Sequence, residues 1–193
     1  MRCADDELWP HTGAILCGGA GRRMGRPKAG LALPDGGTMI ERVFATMSAV
    51  CREVILVGRA TGLPPSMRGV RHIEDRLPRL GPLGGVEALL ASGFDSEYLI
   101  APCDIFLVVP DVFRLLVQPS VRPPAVLYRQ DTDRVEPLIG RYDASTHSVV
   151  MGMIAEGRLA MHELARRTGA SRIPVPDALT EALRNANTPA DLT

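Results

Sequence analysis

The chain has 193 residues, 46% of them apolar, which suits one domain with a full hydrophobic core. Its 22 basic and 22 acidic side chains cancel and no long basic tract occurs, so nothing points to a nucleic-acid polymer as partner. No apolar run reaches membrane-helix length, the acidic start from Met1 to Glu7 lacks a signal-peptide core, and cysteines 3, 17, 51 and 103 show no Cys-x-x-Cys spacing. A cytoplasmic protein of one domain, 1–193, with an N-terminal extension over 1–12, is expected, with Cys17 and Cys103 as buried thiols in strand-like runs.

In chain order, Ala14 to Cys17 reads as a first strand. Thr38 to Val50 places Ile40, Val43, Phe44, Met47 and Val50 at helical spacing. Glu53 to Val57 is an unbroken apolar strand of the kind buried on both faces, and Gly69 to Ile73 a weaker one. Pro82 to Ala91 is a helix with proline at its start. Glu97 to Ala101 is a strand that delivers Pro102, Cys103 and Asp104, and Asp111 to Val117 a helix. Ala125 to Tyr128 and Val135 to Tyr142 are close enough to form an antiparallel pair. Helices over 145–155 and 158–168, a short strand from Arg172 to Val175 and a last helix from Thr188 complete the reading. Alternating buried strands and helices mean an α/β fold with a mostly parallel sheet.

Between the first strand and the first helix, residues 16 to 28 hold four glycines (18, 19, 21, 25), three arginines (22, 23, 26) and Lys28 behind Pro27. Glycines let backbone N–H groups approach an anion, and the cations neutralise it, so this is a phosphate loop. It is not a Walker loop, because Lys28 is followed by Ala29. It is not a dinucleotide fingerprint either, because counting from Gly19 the sixth position is Met24.

The string Leu16-x-Gly18-Gly19-x-x-x-Arg23-Met24-Gly25-x-x-Lys28 resembles the signature of the molybdenum cofactor guanylyltransferase family. The likeness continues at Gly81-Pro82-Leu83-Gly84-Gly85, Cys103-Asp104, Glu136-Pro137-Leu138 and Asn185-Ala186-Asn187-Thr188-Pro189. The resemblance implies a Rossmann-like three-layer sandwich of the glycosyltransferase-A type. It also implies transfer of GMP from GTP to molybdenum-molybdopterin with release of pyrophosphate. Molybdopterin-delivering or molybdoenzyme-maturation proteins are the implied partners.

In open parallel sheets, ligands bind beyond the carboxyl ends of strands. Three candidates fall there: the phosphate loop after strand one, Asp75 after strand three, and Asp104 after strand four. Arg23 and Lys28 are expected to hold phosphates, and Asp104 a Mg2+ ion bridging the triphosphate. Arg23, Lys28 and Asp104 form the expected catalytic set; Asp104 alternatively caps the segment that follows it. The resemblance implies nucleotide contacts at Leu16, Cys17, Gly18, Gly19, Lys28, Gly58, Asp75 and Asp104, and a metal or acceptor contact at Asn187. Asn187 or Thr188 alternatively caps the last helix. The family often carries Asn-Arg after strand two and Cys-Asp-Met-Pro after strand four; here stand Gly58-Arg59 and Cys103-Asp104-Ile105-Phe106. Cytidylyl transfer, another phosphorylated acceptor, and nucleotide binding without turnover are the alternatives. His11, His72, His147 and His162 form no catalytic arrangement in the sequence. A phosphate monoester is already anionic near neutral pH and needs little general-base help.

Overall fold

The computed structural model describes residues 8–17, 28–59, 61–186 and 191, with Lys28 described in its backbone only. Seven strands form one sheet in the order β3-β2-β1-β4-β6-β5-β7. They are β1 (Trp9–Leu16), β2 (Cys51–Val57), β3 (His72–Ile73), β4 (Glu97–Pro102), β5 (Ala125–Arg129), β6 (Arg134–Asp143) and β7 (Ser171–Pro174). β3, β2, β1 and β4 are mutually parallel, β6 runs against β4 and β5, and β7 is parallel to β5. The helices are α1 (Met39–Ser48), α2 (Pro82–Ala91), α3 (Pro110–Val117), α4 (Thr146–Ala155) and α5 (Met161–Arg167).

Side-chain alternation along the strands builds two cores, one on each face of the sheet. Ile15, Leu56, Leu99 and Leu127 pack on one face with Met47 of α1 and Phe113 of α3. Ala14, Leu16, Ile55, Val57, Tyr98, Ile100 and Val126 pack on the other with Leu83 of α2, Met153 of α4 and Leu164 of α5. Each fully buried Leu, Ile or Phe contributes about 2 kcal/mol of transfer free energy, so central strands buried on both faces dominate stability. The three-layer α/β architecture is the one the sequence predicts.

Local chemistry sets the element ends. α1 starts at a reciprocal capping box: Thr38 Oγ1 accepts from the Glu41 N–H, and Glu41 Oε2 accepts from the Thr38 N–H at 2.8 Å. α2 opens with Pro82 in its first turn, as expected from the sequence. β1 begins at Trp9, five residues before the predicted Ala14. The pairing with β2 slips between Trp9 and Thr12, which accommodates Pro10 within the strand. Cys17 and Cys103 are buried, yet they stand one residue beyond β1 and β4 rather than inside them. The predicted helix from Thr188 lies outside the described residues.

The least regular strand is β6. Val126 pairs with Gly140 but the next residue, Leu127, pairs with Glu136, so residues 137–139 bulge out of the β5 ladder. β4 reaches β6 only from Gly140 to Asp143, so the bulge is unpaired on that side too. Proline donates no N–H and is tolerated at a bulge, which explains Pro137 within a strand. The Tyr142 hydroxyl donates to the Pro137 carbonyl at 2.7 Å and pins the bulge.

Candidate active site at the carboxyl edge of the sheet

Four parallel strands end level. Leu16 is in register with both Val57 and Pro102, and Val57 with Ile73. The next residues are held by continuing backbone bonds. The Cys17 N–H donates to the Val57 carbonyl at 2.7 Å, the Gly58 N–H to the Ile73 carbonyl at 2.8 Å, and the Cys103 N–H to the Leu16 carbonyl at 3.3 Å. Leu16, Cys17, Gly58 and Asp104 therefore emerge along one edge, with Asp75 just beyond β3. Gly18, Gly19, Arg23, the Lys28 side chain and Asn187 lie outside the described residues.

The described residues flanking the phosphate loop return to this edge. Ala29 is buried in the same core cluster as Cys17, Cys103 and Ile105. Gly30 lies against the Gly62 carbonyl in the loop after β2, so close that a Cβ there would sit 2.0 Å from the oxygen. Leu33 and Met39 pack with Phe106 and Ala186 in a small cluster of their own. The Ala186 N–H donates to the Asp104 backbone carbonyl at 3.0 Å. That bond ties the chain at Asn185-Ala186 to the turn that carries Asp104. Ile105 and Phe106, where the family pattern has Met-Pro, are both buried and anchor the same turn.

Burial pushes the Cys17 thiol up to about 12, and a backbone hydrogen bond with Val57 offsets only part of that. Cys17 thus offers backbone rather than thiolate chemistry. Gly58 has φ +94°, in the left-handed region that only glycine, and to a lesser degree asparagine, enters readily. The Gly58 here and the asparagine of the family pattern thus suit one backbone shape. The Gly58 carbonyl is in close contact with His72 Nε2, a role for His72 not evident in the sequence.

Asp75 reaches α2. Its Oδ1 is 3.6 Å from where a Cβ on Gly85 would sit, beside Leu16 Cδ2 at 3.3 Å and Val57 Cγ1 at 3.5 Å. The glycine leaves room for strand ends and carboxylate together. Desolvation raises the Asp75 pKa above the ordinary carboxylate value, against the opposing charges of Arg59 and His72.

Beside β4 a cleft of about 280 Å³ opens, lined by Pro102, the bulged segment Val135–Ile139, the start of α5 at Met161 and His162, and Asn185. Sequence reading singled out Glu136-Pro137-Leu138 but not Pro102, the α5 start or His162. Only the antiparallel turn-back of β6 brings them together. Desolvation raises the pKa of Glu136, half-buried in this wall, against Arg129 and Arg134. Among the described residues no group of three or more His, Cys, Asp or Glu side chains could hold a metal. Magnesium, however, is commonly held through one or two carboxylates plus phosphate oxygens, and Asp104 at a strand end fits that kind of site. Among the described residues no helix is long and apolar enough to cross a membrane.

A family model described as the MobA-like NTP transferase domain matches residues 13–168. A Rhodopirellula baltica protein named probable molybdenum cofactor guanylyltransferase is 32% identical over 95% of this chain and 90% of its own. One of the same name from Methanothermobacter thermautotrophicus is 33% identical over 93% and 95%. The crystal structure of molybdopterin-guanine dinucleotide biosynthesis protein A from Archaeoglobus fulgidus superposes with TM-score 0.72 at 24% identity, covering 94% of this chain and 95% of that one. A Thermus thermophilus 2-C-methyl-D-erythritol 4-phosphate cytidylyltransferase shares the fold at TM-score 0.62 and 18% identity, over 93% and 94% of the two chains. With the match spanning most of the sheet and both sides of its carboxyl edge, this chain belongs to the MobA-like NTP transferase family and is a nucleotidyltransferase.

Proposed function

We propose that the protein transfers GMP from GTP to molybdenum-molybdopterin, making the guanine dinucleotide form of the molybdenum cofactor. The observation that carries this reading is the level ending of β1, β2, β3 and β4. It puts the start of the phosphate loop, Gly58, Asp75 and Asp104 on one edge, next to a cleft. The names of the relatives at 32% and 33% identity supply the acceptor.

In this reading the terminal phosphate oxygen of molybdopterin attacks the α-phosphorus of GTP. A new P–O bond forms, the bond from the α-phosphorus to the bridging oxygen breaks, and its electron pair leaves with pyrophosphate. Asp104 would hold Mg2+, which when bound offsets the charge on the triphosphate oxygens. Backbone N–H groups of Gly18 and Gly19, with Arg23 and Lys28, bind the phosphates and orient the α-phosphorus. Leu16, Cys17 and Gly58 offer backbone contacts to the nucleoside, and Asp75 accepts from it. Asn187 contributes an amide oxygen toward metal or acceptor. The cleft with Glu136 and the bulge receives the molybdopterin, on the far side of Asp104 from β2 and β3. Proteins that deliver molybdopterin or mature molybdoenzymes are the expected partners.

A screen of the four nucleoside triphosphates with Mg2+ and molybdenum-molybdopterin, scored by pyrophosphate, tests the reading. GTP alone should support turnover. Preference for CTP would reassign the base, and GTP binding without pyrophosphate release would reject molybdenum-molybdopterin as the acceptor.

A further inference from the structure

We propose that Glu87 is a positioning residue for the nucleotide side of the site: through Arg76 it holds the segment that carries Asp75. This rests on the reading of Asp75 as a nucleotide contact. Glu87 lies on α2, only 1% exposed. Its Oε1 is 3.4 Å from the Arg76 guanidinium and 3.5 Å from His147 Nε2 on α4. Its Oε2 is buried with no hydrogen-bond partner. A carboxylate with one oxygen unsatisfied is an expensive way to fill space between two helices. Low polarity around it strengthens its pull on the Arg76 guanidinium.

The segment it restrains is laid along the first turns of α2. Asp75 Oδ1 packs against Gly85, while the Leu77 carbonyl lies 3.5 Å and Leu80 Cβ 3.0 Å from where a Cβ on Gly84 would sit. Gly84 and Gly85 leave the room, but glycines exert no hold. Among the described residues, the Glu87–Arg76 pair is the charged contact that fastens 75–80 to the helix. Arg76 is adjacent to Asp75, so releasing the guanidinium frees the neighbouring carboxylate to wander. Small misplacements of a binding group are costly in transfer reactions.

The test pairs Glu87→Gln with Arg76→Ala in the full chain. Arg76 is 59% exposed and rehydrates when Glu87 is neutralised. Glu87→Gln should therefore leave the melting temperature unchanged or higher, whereas Arg76→Ala strands the buried carboxylate and lowers it. Both should speed amide exchange over 75–80 and raise the KM for GTP roughly fivefold with kcat within about twofold, and the double variant should be no worse than either alone in KM. Arg76→Lys should recover part of the loss. Unchanged exchange over 75–80 in Glu87→Gln, or faster exchange without a change in KM, overturns the proposal. If the unaltered protein turns over no GTP, the functional reading falls instead, and the exchange measurement still decides whether Glu87 holds the segment.

Discussion

Asp95 and Asp75 are both carboxylates beside strands of one sheet, at opposite edges. Asp95, just before β4, accepts from His11 Nδ1 at 2.8 Å, from the Thr12 hydroxyl at 2.9 Å and from the Ser96 N–H at 2.7 Å. Burial works to raise its pKa, but those hydrogen bonds outweigh it and hold the carboxyl below the ordinary value. Nearby, Glu97 and Arg141 pair at 2.6 Å, and the Arg141 guanidinium also donates to the Val121 carbonyl at 3.0 Å and stacks 5.2 Å over Trp9. At the carboxyl edge, the side chains of Asp75 and Glu136 have raised pKa values and make no hydrogen bond among the described residues. Charges at the amino edge are used by the fold, whereas the Asp75 and Glu136 carboxylates at the carboxyl edge are held by no hydrogen bond among the described residues.

Asp104→Ala should lower pyrophosphate release per folded molecule by about a hundredfold or more, because it removes the carboxylate proposed to hold Mg2+. Calorimetry beside a turnover assay checks this; near-full magnesium-dependent activity in the variant would reject the assignment. Arg141→Ala should do the reverse. It leaves Glu97 partly buried without its cation and should cost about 3 kcal/mol in urea unfolding, with activity per folded molecule retained.

A finer contrast sets Asp95→Asn against Asp75→Asn. Asp95 has a folded pKa below the ordinary 3.8, so its contribution is present above that value and lost as pH falls through the folded one. Asp95→Asn should cost about 1.5 kcal/mol at neutral pH and flatten the acid limb of the stability curve. Asp75 has a raised pKa, so its penalty appears as pH rises through the folded value. Asp75→Asn should leave neutral-pH stability equal or higher while raising the KM for GTP. The smallest effect is expected at Glu136→Gln, with GTP affinity unchanged and acceptor KM raised by roughly threefold.

What the sequence disclosed follows from how local each signal is. Pro82 opening α2 is a local signal, and that helix starts where the proline puts it; α1 starts one residue after the expected Thr38, which caps it instead. The β5–β6 pair was legible from the short gap between two apolar runs. The early start of β1 was not, because a register slip hides Pro10 from any reading of propensity. That the phosphate loop, Asp75 and Asp104 follow strands was inferable from alternation alone, whereas the level register of those strand ends was not. The cleft was not, since Pro102, Leu138, His162 and Asn185 meet only once β6 has turned back along β4. Glu87 carries no signal in the sequence, and its burial comes from packing against α4 and the 75–80 segment.

Residues 137–139 pair with neither β4 nor β5, yet they wall the cleft. Their backbone thus stands outside the ladder, although Ile139 is buried in the core and the Pro137 carbonyl is held by Tyr142. On the proposed reading of the cleft, acceptor preference can be shifted through Leu138, which lines it at the margin of the core, with the ladder left as it stands.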